Sequence, residues 1–130
     1  MRKVIFVSLL VGLSIFLSAC GGASAPVEDT SSVNITLETK PNPIMMENDA
    51  ELILIITDAN GNPIEGATVD VSAEHTGHSM VGPMSGVATE QGNGRYAINT
   101  AFSMSGAWKM TVYVRKEGLD YQEEIEIPVQ

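Results

Sequence analysis

From Val33 onward the chain alternates apolar and polar residues with a period of two, and Gly, Pro and Asn clusters punctuate it every 8–12 residues or so. Val33, Ile35 and Leu37 alternate with Asn34, Thr36 and Glu38, which predicts a half-buried strand. Residues 51–57 (ELILIIT) form a continuous apolar run, as expected for a strand covered on both faces or central to a sandwich. Asp58-Ala-Asn60-Gly61-Asn62-Pro63 is dense turn chemistry: Asn-Gly supplies positive φ and Pro63 bars continuation of the strand. Ala67, Val69 and Val71 resume the alternation. After an irregular stretch, Gly92-Asn93-Gly94 turns into Tyr96, Ile98 and Thr100. Trp108, Met110, Val112 and Val114 give the cleanest alternation, so Met110 is expected in the core. Glu117-Gly118 turns the chain into Tyr121, Ile125, Ile127 and Val129. No helical period appears in this region. About seven short strands in roughly 100 residues predict an all-β, immunoglobulin-like antiparallel sandwich over residues 33–130.

The N-terminus reads as an address. Met1-Arg2-Lys3 is a positive n-region, followed by an apolar stretch over residues 4–17. As a helix that stretch would reach only about 21 Å, short of the roughly 30 Å hydrocarbon core, so a signal peptide over 1–19 is expected. It ends in Leu17-Ser18-Ala19-Cys20-Gly21, which resembles a bacterial lipobox. The resemblance implies that Cys20 is lipidated and becomes the mature N-terminus, a membrane anchor in which each buried methylene adds about 0.8 kcal/mol. It places the protein outside the cytoplasm, lipid-anchored to the bacterial cell membrane. Residues 20–32 (CGGASAPVEDTSS) are small, polar and acidic, and are expected to form a flexible tether.

Charge and cysteine count narrow the functional classes. A net charge of −9 argues against nucleic-acid binding, which depends on neutralising phosphates. It becomes more negative once Arg2 and Lys3 leave with the signal peptide. Such a surface is repelled by anionic lipid, so the lipid has to do the anchoring. The single cysteine excludes an intramolecular disulfide and a multi-cysteine zinc site.

Residues 74–86 (EHTGHSMVGPMSG) hold both histidines, His75 and His78, together with Met80 and Met84. Gly77, Gly82 and Pro83 predict a loop there, neither strand nor helix. Methionine usually fills core gaps, but a Gly/Pro-rich loop offers little core to fill. Imidazole and thioether donors together favour copper, Cu(I) above all, and the spacing His-x₂-His-x-Met-x₃-Met lets a short loop fold around one ion. Met104 sits at another turn just before Trp108. Met45-Met46 reads as core edge at a strand entry rather than as a ligand pair. The competing expectation for the loop is a metal-free contact surface, since methionines also make adaptable interfaces.

Other chemistries fail on their spacing. Asp58-x-Asn60-x-Asn62 begins like a calcium loop, but Pro63 occupies the glycine position and Val69 the terminal glutamate position. Ser79 lacks the second glycine of a nucleophile elbow, and Glu74-His75 is not part of His-Glu-x-x-His. Gly92-Asn93-Gly94 has neither a following helix nor a basic set to cradle phosphate. With no catalytic acid–base pair, a non-enzymatic role is expected.

Asp58-Ala-Asn-Gly-Asn-Pro-Ile-Glu-Gly66-Ala67-x-Val69, the Met-containing loop, Gly94-x-Tyr96 and Phe102-Ser-Met104-Ser-Gly106-Ala-Trp108 follow one another as they do in YtkA-like domains. The resemblance covers roughly residues 34–114. These domains are small β-sandwiches related to FixH-like proteins and often carried on bacterial lipoproteins. The resemblance implies an extracytoplasmic role linked to copper handling or respiratory oxidase assembly. It implies a metal end built from His78, Met80, Met84 and Met104, to which the spacing adds His75. The expected function is that of a copper carrier or chaperone serving a copper-accepting envelope protein or oxidase. A metal-free cell-surface interaction or structural module is the alternative.

Overall fold

A computed structural model describes residues 32–78, 80 and 82–130. The expected signal peptide, the Cys20 anchor and nearly all of the tether lie outside the described residues, as does Ser79. Seven antiparallel strands make up the fold: β1 (Asn34–Lys40), β2 (Asp49–Thr57), β3 (Thr68–His75), β4 (Met84–Gly92), β5 (Arg95–Ala101), β6 (Gly106–Lys116) and β7 (Leu119–Val129). Their hydrogen-bonded order is β1-β2-β5-β4-β3-β6-β7. This is the strand arrangement of an immunoglobulin-like sandwich, with β1, β2, β5 and β4 in one layer and β3, β6 and β7 in the other. β4 pairs with both β5 and β3, so the layers are continuous on that side. A parallel bridge between Ile44 and Val129 clasps the opposite side at one end, giving a nearly closed sheet.

The alternation explains the layers. Val69, Val71 and Ala73 of β3 and Trp108, Met110, Val112 and Val114 of β6 are buried, and their neighbours face outward. Residues 51–57 become β2, an interior strand with Leu52, Leu54 and Ile56 facing the core. Its outer face is covered as well: Ile53 is buried between Glu38 and Ala97, and the Arg95–Glu38 ion pair (2.8 Å) spans β2 from its two neighbours. Tyr96, fully buried, points its hydroxyl to the segment before β3, donating to the Ile64 carbonyl at 2.8 Å and accepting from the Ala67 amide at 3.2 Å.

The predicted loop over 74–86 is shorter than expected. Glu74 and His75 close β3, and Met84, Ser85 and Gly86 open β4, leaving a connection over 76–83. β4 (MSGVATEQG) has few branched or aromatic residues, so its composition does not announce a strand. Pairing on both edges holds it in place, and Gly86 leaves room for the Ile98 side chain, whose Cδ1 would lie 2.8 Å from a Cβ there.

The turn between β2 and β3 is built around one carboxylate. Asp58 accepts the Asn60 and Asn62 amides at 2.8 and 2.9 Å and the Asn62 side-chain amide at 3.0 Å. The resemblance to a calcium loop thus dissolves into an Asx turn, whose acid serves its own backbone. The hydrogen bond from the Asn62 side chain, followed by the backbone amides, holds the Asp58 carboxyl below the usual carboxylate range. A depressed folded value means the stabilisation is present above the unfolded value of about 4 and is lost as pH falls through the folded value. Urea midpoints measured from pH 5 downward should therefore drop more steeply for the wild type than for Asp58→Asn, whose amide cannot titrate. Parallel curves would show that the turn does not depend on the charge.

Candidate functional site

At one end of the sandwich meet the 41–48 connection, the 76–83 loop and the 102–105 loop. His75 continues the inward series of β3 by one more step, opposite Trp108 in register, so its imidazole lies at the mouth of the core. It meets the buried Trp108 ring edge-on, with centroids 5.3 Å apart and planes at 85°. Trp108 in turn packs against the buried Phe102 ring at 5.1 Å and 68°.

Both imidazole nitrogens of His75 have backbone partners. Nδ1 accepts the Gly77 amide at 3.0 Å, which leaves the proton on Nε2, 3.0 Å from the Ser105 carbonyl oxygen that accepts it. The Trp108 indole donates to the Met104 carbonyl at 3.0 Å, so two neighbouring carbonyls of the 102–105 loop are fixed by two ring donors. Thr76 secures the other loop, its amide and hydroxyl both reaching the Ala107 carbonyl at 3.0 and 2.9 Å. Gly106, with φ of 122°, makes the close approach possible: a Cβ there would stand 2.8 Å from His75 Nε2.

His78 is exposed, and its ring lies 5.3 Å from that of His75, tilted by 40°. The two histidines line an open hollow of about 450 Å³ with Glu74, Gly77, Pro83 and Lys109. Lys109 is held between Glu74 at 2.9 Å and Glu124 at 3.6 Å. The Glu74 hydrogen bond, then the Glu124 charge, raise its ammonium above the ordinary lysine range.

The thioethers are distributed differently. Met84 pairs with Ala73 in register and is half-buried against the core, its sulfur accepting the Thr100 hydroxyl at 3.6 Å. It lines a separate cavity of about 70 Å³ between the layers, with Leu52, Ile98 and Phe102. Met104 is half-buried against the same core. Met80 is 99% exposed. The structure therefore brings His75 and His78 together, places Met104 in the loop that His75 holds, turns Met84 inward and leaves Met80 in solvent. Among the described residues no group of three or more His, Cys, Asp or Glu side chains is placed to hold a metal ion.

Met110 is buried in the core, as the alternation predicts. Met45 and Met46 are not core edge: they are 43% and 45% exposed, because Ile44 takes the buried position and bridges Val129. Strand alternation places Met110, but Met45 and Met46 lie in a connection, where no alternation separates a core methionine from a displayed one.

No curated protein matches the chain. The model of the YtkA-like family matches residues 28–113, a segment that contains β1 to β5, both histidines and β6 as far as Tyr113, and the chain belongs to that family.

Proposed function

We propose that the protein is a lipid-anchored, extracytoplasmic Cu(I) carrier that binds the ion at the His/Met end of its sandwich and passes it to a copper-accepting envelope protein or oxidase. The reading rests on the paired imidazoles, 5.3 Å apart at the end where the Met80, Met84 and Met104 segments meet. Neutral imidazole and thioether donors suit a soft monovalent ion, and an open hollow permits exchange with an incoming donor. His78 and Met80 supply the exposed donors, and Met84 and Met104, half-buried against the core, complete the set by turning outward, Met84 giving up the Thr100 hydroxyl. His75 places His78 while its own nitrogens are held by Gly77 and Ser105, and it becomes a ligand only by giving up one of those bonds. Cys20 serves as the anchor.

Titration of the full chain in detergent against a chromophoric Cu(I) chelator tests this. A Cys20→Ser background removes the competing thiol. One equivalent should bind tightly, and Met80→Ala/Met84→Ala should weaken it about 10–100-fold or more. Urea melts establish that the variant is folded. Failure of the folded wild type to compete for Cu(I) would replace this reading with the metal-free interaction module.

A further inference from the structure

Of the 7 methionines, Met1 apart, all but the core residue Met110 lie at the His75 end. The connections at the other end, over 58–67, 93–94 and 117–118, contain none. Two of the clustered residues, Met45 and Met46, have no part in the donor set above. They are 43% and 45% exposed, on a connection whose backbone is tied down at several points. The Met46 amide donates to the Gln130 carbonyl at 2.7 Å, the Gln130 amide to the Ile44 carbonyl at 2.9 Å, and the Asn48 amide to the Met45 carbonyl at 3.4 Å. Glu47 takes the left-handed conformation, φ 60°, and its amide donates to the Phe102 carbonyl at 2.8 Å. That bond ties the connection to the ring that packs on Trp108, and through Trp108 to His75.

We propose that Met45 and Met46 form a second soft-metal site, a two-thioether landing pair for Cu(I) that holds the ion more weakly than the His/Met loop at the same end of the sandwich. The backbone of the turn is already fixed, so binding has to order only the two side chains, and that pre-organisation gains affinity. Thioethers select Cu(I) over the hard cations that the neighbouring carboxylates Glu47 and Asp49 would otherwise retain, while those charges raise the local cation concentration. Two neutral sulfurs make a weaker site than one that includes imidazole, which suits capture followed by transfer within the same end of the domain. The assignment of this pair as a landing point rests on the Cu(I) reading of the His/Met loop.

The test labels the full chain, in the Cys20→Ser background and in detergent, with [methyl-13C]methionine. Ag(I) serves as a redox-inert stand-in for Cu(I), and single Met→Leu variants assign the methyl signals. The first equivalent should move the methyls of the His/Met loop, and a second should move those of Met45 and Met46. Met45→Leu/Met46→Leu should lose the second equivalent while keeping the first, with the fold intact because both side chains are exposed. Methyls of Met45 and Met46 that stay fixed to saturation while Met80 and Met84 respond would overturn the pair and leave the carrier reading standing. Silence at all of the methyls would overturn both. Movement at Met45 and Met46 alone would support a thioether site there and remove the His/Met loop as the destination.

Discussion

Trp108→Ala is expected to destabilise the domain by about 3–5 kcal/mol, the range for emptying a fully buried large aromatic site. Trp108 is completely buried, and its ring joins Phe102 on one side to His75 on the other. Truncation also orphans the Met104 carbonyl that the indole satisfies. Since domains of this size have about 5–15 kcal/mol in total, a loss of that order removes a large share of the stability. Urea melts measure it. Trp108→Phe separates the two contributions: it retains most of the ring packing and removes the indole donor, so it should lose less, about 1–3 kcal/mol for the deleted bond and the imperfect fill. On the proposed Cu(I) reading, the phenylalanine variant should also bind the ion more tightly than a variant that empties the site. A loss below about 1 kcal/mol for Trp108→Ala would mean that the neighbouring rings collapse onto the space and that the indole does not organise this end.

Most of the fold was legible because each strand that buries one face writes that face into the sequence with a period of two. β1, β3, β5, β6 and β7 do so, whereas β2, covered on both faces, is legible as a continuous apolar run. β4 does not: its inward positions are Met84, Gly86 and Ala88, too small or too pliant to give a pattern, and its existence depends on partners from both layers. The site was legible in its residue types and not in its geometry. Extending the series Val69, Val71, Ala73 by one step puts His75 inward, yet the glycines that follow made a loop the natural expectation. What then occupies its nitrogens, the Gly77 amide two residues on and the Ser105 carbonyl thirty residues away, is backbone, and backbone partners leave no signature in side-chain patterning. Met45 and Met46 failed for a different reason. In a stretch reading Ile-Met-Met, only one residue could enter the core, and the β-branched Ile44 took that place.

Gly106→Ala should lose about 1–3 kcal/mol from the backbone alone, because φ of 122° is a conformation that a residue with a Cβ rarely adopts. The larger consequence is at the site. The new Cβ would stand 2.8 Å from His75 Nε2, closer than such atoms approach, and the imidazole has to swing away. Swinging breaks the bond to the Ser105 carbonyl and misaligns the one from the Gly77 amide, each worth about 1 kcal/mol. It also removes the surface against which His78 lies. Imidazole nitrogen NMR reads this directly: the wild type should show His75 as the Nε2–H tautomer with an unprotonated Nδ1, and Gly106→Ala should show tautomer exchange and an averaged His78 signal. Ser105→Ala is the matching control and should be nearly neutral, since the acceptor is a main-chain carbonyl. An unchanged His75 tautomer in a Gly106→Ala variant within about 0.5 kcal/mol of the wild type would assign the holding of the 76–83 loop to the Thr76–Ala107 bonds instead. The expected outcome puts the requirement for glycine at this bend in the histidine it faces, so that one residue at the entrance to β6 sets both the turn and the placement of the paired imidazoles.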